Sequence, residues 1–178
     1  MRDFEDYCWR DVVSDEDLYI YSAYVRERSV GPQPALVVVH PGAAPSGEAW
    51  QNHAARLVSE ARARGLPVLH SIPPGAAPTL TPHEAEPLVM RPCDSAFFSS
   101  DLERALHRQR AGSLLLCGGP SSGALRASAV EGKSFGYKVA IAEETVGDAS
   151  LFLHKVALFD IAHKYADVMS IDELLAQL

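Results

Sequence analysis

The chain has 178 residues, 47% of them hydrophobic, and a formal net charge of −7 with no cluster of Lys or Arg. That length and apolar content suit one domain with a full core, and the acidic balance argues against nucleic-acid or anionic-membrane partners, which need concentrated positive charge. No apolar run approaches the length of a bilayer span, the acidic start from Met1 to Asp11 has no apolar core of a secretory signal, and Cys8, Cys93 and Cys117 are odd in number and widely spaced, so free thiols in a reducing, cytoplasmic setting are expected.

Val37, Val38 and Val39 form an apolar run fit for a strand buried on both faces, and Pro41-Gly42 stops it with His40 at its carboxyl end. From Ala49 to Arg64, Trp50, Ala54, Leu57, Val58 and Ala61 recur at helical spacing, and Gly65 supplies a C-cap. Leu66 to Ile72 reads as a second strand, and the Pro- and Ala-rich stretch from Pro73 to Pro87, which has no period, reads as a surface loop. Ser100-Asp101-Leu102-Glu103 has the form of a capping box, predicting a helix from about Asp101 to Arg110 with Leu102, Ala105 and Leu106 as its apolar stripe. Ser113 to Cys117 is a further buried strand, Gly118 to Ser122 a turn, Ala124 to Phe135 a helix ended by Gly136, and Tyr137 to Ala142 another strand. Short apolar strands alternating with amphipathic helices predict an α/β fold, a doubly wound parallel sheet of about six strands in three layers with helices on both faces.

Three stretches carry more specific information: Asp94 to Leu102, Leu114 to Glu144, and Lys164 to Val168. In order and spacing they resemble the isochorismatase-like cysteine hydrolases, and the pattern is closest to the N-carbamoylsarcosine amidase branch, whose leader is similar to Asp15 to Pro32. The resemblance implies a leader over residues 1–33 packed on a hydrolase domain over residues 34–178. It also implies a chemistry in which a thiolate attacks a carbonyl, an Asp manages the proton and a Lys lowers the thiol pKa. In the family the Asp ends the first strand, the Lys lies four residues before a Ser-Ala-Phe, and the Cys opens a helix. Here those three positions are His40, Arg91 and Ala124.

Ala124 has no nucleophilic atom, so covalent catalysis from that position is impossible. His40 has two readings: an acid–base group titrating near neutrality, or a histidine hydrogen-bonded in a vestigial pocket. Arg91 keeps a positive charge and a planar fork suited to a carboxylate, or else makes a salt bridge, for instance to Asp94. Ser121 and Ser122 stand at a helix start, where N-capping is the ordinary role and anion binding or nucleophilic attack the alternatives. With Arg91 they are the candidate residues for a small anionic ligand. Cys93 is the alternative thiol, and Cys117 belongs to the core. In relatives a cis peptide lies between the positions five and four residues ahead of the Cys, which places it here at Gly119–Pro120, where proline makes it inexpensive. His53, His70, His83, His107, His154 and His163 lack ligand-like spacing with carboxylates, and neither a metal nor another cofactor is expected. Two functions remain: a catalytically degenerate binding or partner subunit in a homo-oligomer or a hetero-oligomer with a related protein, or a non-covalent acid–base enzyme acting on a small carboxylate-bearing metabolite through His40 and Arg91.

Overall fold

In the computed structural model, which describes residues 2–42 and 49–178, the chain folds as a six-stranded parallel sheet. The strands are β1 (Pro34–Val39), β2 (Val68–Ile72), β3 (Leu88–Met90), β4 (Ser113–Gly118), β5 (Lys138–Val146) and β6 (Asp167–Met169), in the order β3-β2-β1-β4-β5-β6. Leu36 pairs with Val68 of β2 and Pro34 with Ser113 of β4, so the chain winds outward in both directions from β1 and β4. The adjoining carboxyl ends of β1 and β4 form the crevice where such sheets place ligands.

Every residue of β1 after Pro34 is buried, because the strand has a core on each face. Ala35, Val37 and Val39 point into a core shared with α3 (Leu102–Arg108), α4 (Arg126–Ser134) and α5 (Leu151–Lys164). Leu36 and Val38 point the other way, onto α2 (Ala49–Ala63) and α6 (Ile171–Leu175). The leader adds α1 (Asp15–Tyr21) and joins the first core through Phe4, Tyr7 and Trp9. Trp9 packs edge-on to Phe159, Tyr7 donates to Glu173, and Arg26 pairs with Asp167 at 2.9 Å, so the leader is fastened to the last two strands and their helices.

The turn glycines behave as the sequence predicts. Gly65 adopts φ 69° with Leu66 N–H bonded to the Ala61 carbonyl, and Gly136 adopts φ 91° with Tyr137 N–H bonded to Gly132. Because Leu66 belongs to that cap, β2 begins at Val68. The capping box before α3 does not form: Ser100 Oγ accepts from Leu102 N–H and donates to the Ala96 carbonyl, and Asp101, at the N-cap, makes no side-chain cap bond. The helix expected from Ala124 begins instead as a π-helical turn over Ser121–Leu125, closed by Leu125 N–H to the Pro120 carbonyl, and becomes α-helical only at Arg126. After an irregularity in its pairing with β4, β5 runs on to Val146, beyond the predicted end at Ala142.

Candidate functional site

His40 follows β1, Arg91 follows β3, and Ala124 lies in the turn after β4, so parallel strands bring all three to one edge of the sheet. The Gly119–Pro120 bond is cis. Gly119 N–H donates to Val39, and Ser121 N–H donates to Gly147, which anchors the turn to β1 on one side and to the end of β5 on the other.

His40 is completely buried, and both of its ring nitrogens are engaged. Thr79 N–H donates to Nδ1 at 3.0 Å, so the ring proton resides on Nε2 and is donated to His70 Nδ1 at 2.8 Å. That fixes the His70 proton on Nε2, which donates to Glu86 at 2.9 Å. Arg62 closes the chain by donating through Nε and Nη2 to both oxygens of Glu86. Burial, then the charges of His70 and Arg91, push the His40 pKa down to about 4. Burial alone would raise the Glu86 carboxyl, but hydrogen bonds from Arg62, the His83 amide and His70 outweigh it and hold the group at about 2.

This chain makes the fold acid-sensitive. Above the unfolded-state value of ~6.5 both folded and unfolded His40 are neutral, and no stability is linked to its titration. As pH falls toward the folded value of about 4, the unfolded chain takes up a proton that the folded chain refuses. The resulting loss is on the order of 3 kcal/mol. Thermal midpoints measured from pH 7 down to pH ~4.5 should fall steeply, and His40→Gln should flatten that slope. An unchanged slope would show that another group governs the acid response.

Arg91 is also buried, and the salt bridge to Asp94, one of its two readings, is replaced by bonds to backbone carbonyls. Its Nη2 donates to the His40 carbonyl at 2.9 Å, Nη1 to Ser71 at 3.4 Å, and Nε to the Asp94 carbonyl at 3.3 Å. The fork ties together the ends of β1 and β2 and the segment at Asp94, and the Ser71 carbonyl it reaches also accepts from His40 N–H. One side of the guanidinium borders a cavity of about 300 Å³ with Gly42, Pro73, Cys93, Asp94 and Pro120.

Ala124 is 1% exposed and packs in the core that includes Val39, Leu125 and Ala129, and it does not line that cavity. Neither serine acts as an N-cap of the turn. Ser122 donates its hydroxyl and its backbone N–H to Asp148, and the Ser121 hydroxyl lies 3.0 Å from His154 Nδ1 and 3.3 Å from Asp148. Burial would raise the Asp148 carboxyl, but bonds from Ser122 and the Ser150 amide lower it. A carboxylate 26 residues downstream therefore satisfies the turn's donors from outside. Ser121 is fully buried and Ser122 half-buried under this network. Of the three cysteines, Cys117 is buried and Cys93 is exposed at the cavity.

His70, Glu86, Asp148 and His154 were not singled out as site residues from the sequence. Their side-chain partners in these networks lie 16 to 33 residues away, beyond the reach of any local pattern. The only available sign was polarity in an apolar setting: His70 interrupts a strand whose other members are Val68, Leu69, Ser71 and Ile72. Among the described residues, no group of three or more His, Cys, Asp or Glu side chains is placed to hold a metal ion, and no helix is long and apolar enough to cross a membrane.

Comparison with known proteins places residues 33–173 on the isochorismatase domain. Over 99 residues, 56% of this chain, the sequence is 35% identical to the maleamate amidohydrolase of Pseudomonas putida KT2440, a match spanning about half (46%) of that protein's length. The N-carbamoylsarcosine amidase of an Arthrobacter species is 23% identical over 203 residues, which covers 90% of this chain and 77% of that protein. Among solved structures, an isochorismatase family protein from Burkholderia thailandensis has a TM-score of 0.75 at 22% identity, covering 86% of this chain and 99% of its own. An isochorismatase from Pseudomonas putida KT2440 gives 0.75 at 17% identity, covering 88% and 97%. At such identities the structural likeness shows the fold.

Proposed function

We propose that this chain, which belongs to the isochorismatase family, has lost the covalent hydrolase chemistry and acts as a binding or partner subunit. The observation that carries the reading is the replacement of the helix-start nucleophile by Ala124, whose methyl packs into the core. The other two positions support it. His40 has Nδ1 occupied by the Thr79 N–H and Nε2 by the buried chain that ends at Arg62, leaving neither for a substrate proton, and Arg91 directs its donors to backbone carbonyls. A general base must reach the proton it removes, and a nucleophile needs a base of its own. The acid–base alternative through His40 therefore has no geometric support, whereas the small cavity beside Arg91 leaves room for a small anionic ligand.

Purified protein is expected to release no ammonia from maleamate or N-carbamoylsarcosine, the amides named by its relatives. Intact-mass measurement after incubation should find no adduct. Ala124→Cys alone should remain inactive, because the partner positions are still His40 and Arg91. Wild-type turnover with an acyl adduct mapped to Cys93 or Ser121 would overturn the proposal and establish a relocated nucleophile. Turnover without an adduct, abolished by His40→Ala, would favour the acid–base enzyme.

A further inference from the structure

A pocket of about 500 Å³ opens where the end of β5 meets the first turns of α2 and α5, and it shares no lining residue with the cavity beside Arg91. Its walls carry three carboxylates, Glu143, Glu144 and Asp148, and no Lys or Arg. Arg2 answers Glu143 at 2.6 Å from outside the lining. Asp148 is met by hydroxyls and amides of serines, and Glu144 by the Ile171 amide at 2.8 Å. Among the described residues, two negative charges thus border the pocket without a cationic partner. Two further groups point to a ligand. Trp50 is 5% exposed, yet its Nε1–H has no acceptor, a state that native structures seldom carry. The indole edge that bears this proton lies against Gly147 in the pocket wall, so close that a Cβ there would fall 2.6 Å from Nε1. On the α5 side, His154 engages the Ser121 hydroxyl through Nδ1 at 3.0 Å and makes no bond at Nε2.

We propose that this pocket binds a small organic ammonium compound that also carries an oxygen acceptor. The ammonium is set against the charges of Glu144 and Asp148, the oxygen takes the Trp50 indole proton, and the carbon chain between them covers the apolar wall supplied by Val146, Leu151 and the indole. His154 Nε2 adds one group that donates or accepts according to its tautomer. A metal ion does not suit the same groups. Among the described residues no three His, Cys, Asp or Glu side chains are placed to hold one, and an indole N–H is a donor only, with no lone pair to offer a bare cation. The net charge of −7 on the chain also favours the arrival of a cation over that of an anion. None of His40, Arg91 and Ala124 takes part, so the inference stands or falls separately from the loss of covalent chemistry.

The test is a titration of the full chain with aminopropanol at neutral pH, followed by NMR of the tryptophan indole N–H groups. The chain has two tryptophans, and Trp9 serves as the internal reference because its Nε1 already donates to Glu5 at 3.0 Å. The Trp50 indole proton, identified by its cross-relaxation with Gly147, should move downfield and saturate with a Kd on the order of millimolar, while that of Trp9 stays in place. Butanol, with a methyl in place of the ammonium, should bind about 5-fold more weakly. Aminopropanol should lose a similar factor against Glu144→Gln, which keeps an acceptor for the Ile171 amide but removes the charge. Butylamine, which lacks the oxygen, should give no downfield shift of the indole proton. A Trp50 resonance unmoved by aminopropanol up to ~100 mM would overturn the proposal. So would butanol binding as tightly as aminopropanol, a comparison that needs no variant. An affinity unchanged in Glu144→Gln, an equal downfield shift with butylamine, or both indoles shifting together would count against it in the same way.

Discussion

Gly118→Ala should prevent the protein from holding its native fold. Gly118 ends β4 with φ 112°, in a region L side chains rarely adopt, and a methyl there would lie 2.0 Å from the Val39 carbonyl oxygen and 2.8 Å from its carbonyl carbon. The obstacle is backbone at the centre of the sheet, flanked by the hydrogen bonds from Gly119 to Val39 and from Gly147 to Gly118, so no rotamer change can relieve it. A loss above ~4 kcal/mol is expected, a large part of the total stability of an ordinary domain. Urea denaturation of the soluble fraction, or its failure to accumulate, reads this directly. Gly75→Ala is the calibrating control: φ is 76° but no atom of the described residues lies within 4 Å of the added methyl. Only the conformational cost of about 1–2 kcal/mol applies there. Equal effects at the two glycines would mean that the β1–β4 contact can yield.

Arg91→Met should cost about 3 kcal/mol, because removing the guanidinium leaves the buried His40 carbonyl without a donor and weakens the ties to Ser71 and Asp94. Arg91→Lys should recover little of that loss. An ammonium retains the charge but is a point donor on a flexible stem and cannot span carbonyls from three segments, whereas a site that merely required positive charge near the cavity would accept it. Chemical denaturation of both variants separates the two roles. If each falls by less than ~1 kcal/mol, Arg91 is not a brace and its fork is available to a ligand.

What was legible in the sequence was whatever local chemistry dictates. The valine run of β1, the helical period of α2, and the caps at Gly65 and Gly136 each follow from a handful of neighbouring residues, and each appears where expected. The family spacing likewise led to the edge where His40, Arg91 and Ala124 converge, and to the cis bond at Gly119–Pro120. Missing were elements whose stability is tertiary. β3 has three residues, with only Val89 buried, and exists because β2 offers it a partner. The function of the polar residues was hidden for the same reason. Nothing near His40 announces Thr79 or His70, and nothing near Ser122 announces Asp148, because such pairings appear only once the sheet has aligned the segments. Ser100 shows the converse failure: a motif with the right letters makes one bond, accepting from Leu102 N–H, but not the reciprocal pair with Glu103, because the helix begins at Leu102 with Asp101 at its N-cap.

The fastening of the leader sets an order on how the nascent chain can fold. Phe4, Tyr7 and Trp9 are made long before the groups that receive them: Phe159 and His163 for the rings, Glu173 for the tyrosine hydroxyl. Arg26 and Arg28 wait equally long for Asp167 and for the Val168 carbonyl. The leader can therefore dock only after α5, β6 and α6 have been made. Until then it trails from the growing sheet as an aromatic segment, the kind of exposed surface that chaperones hold.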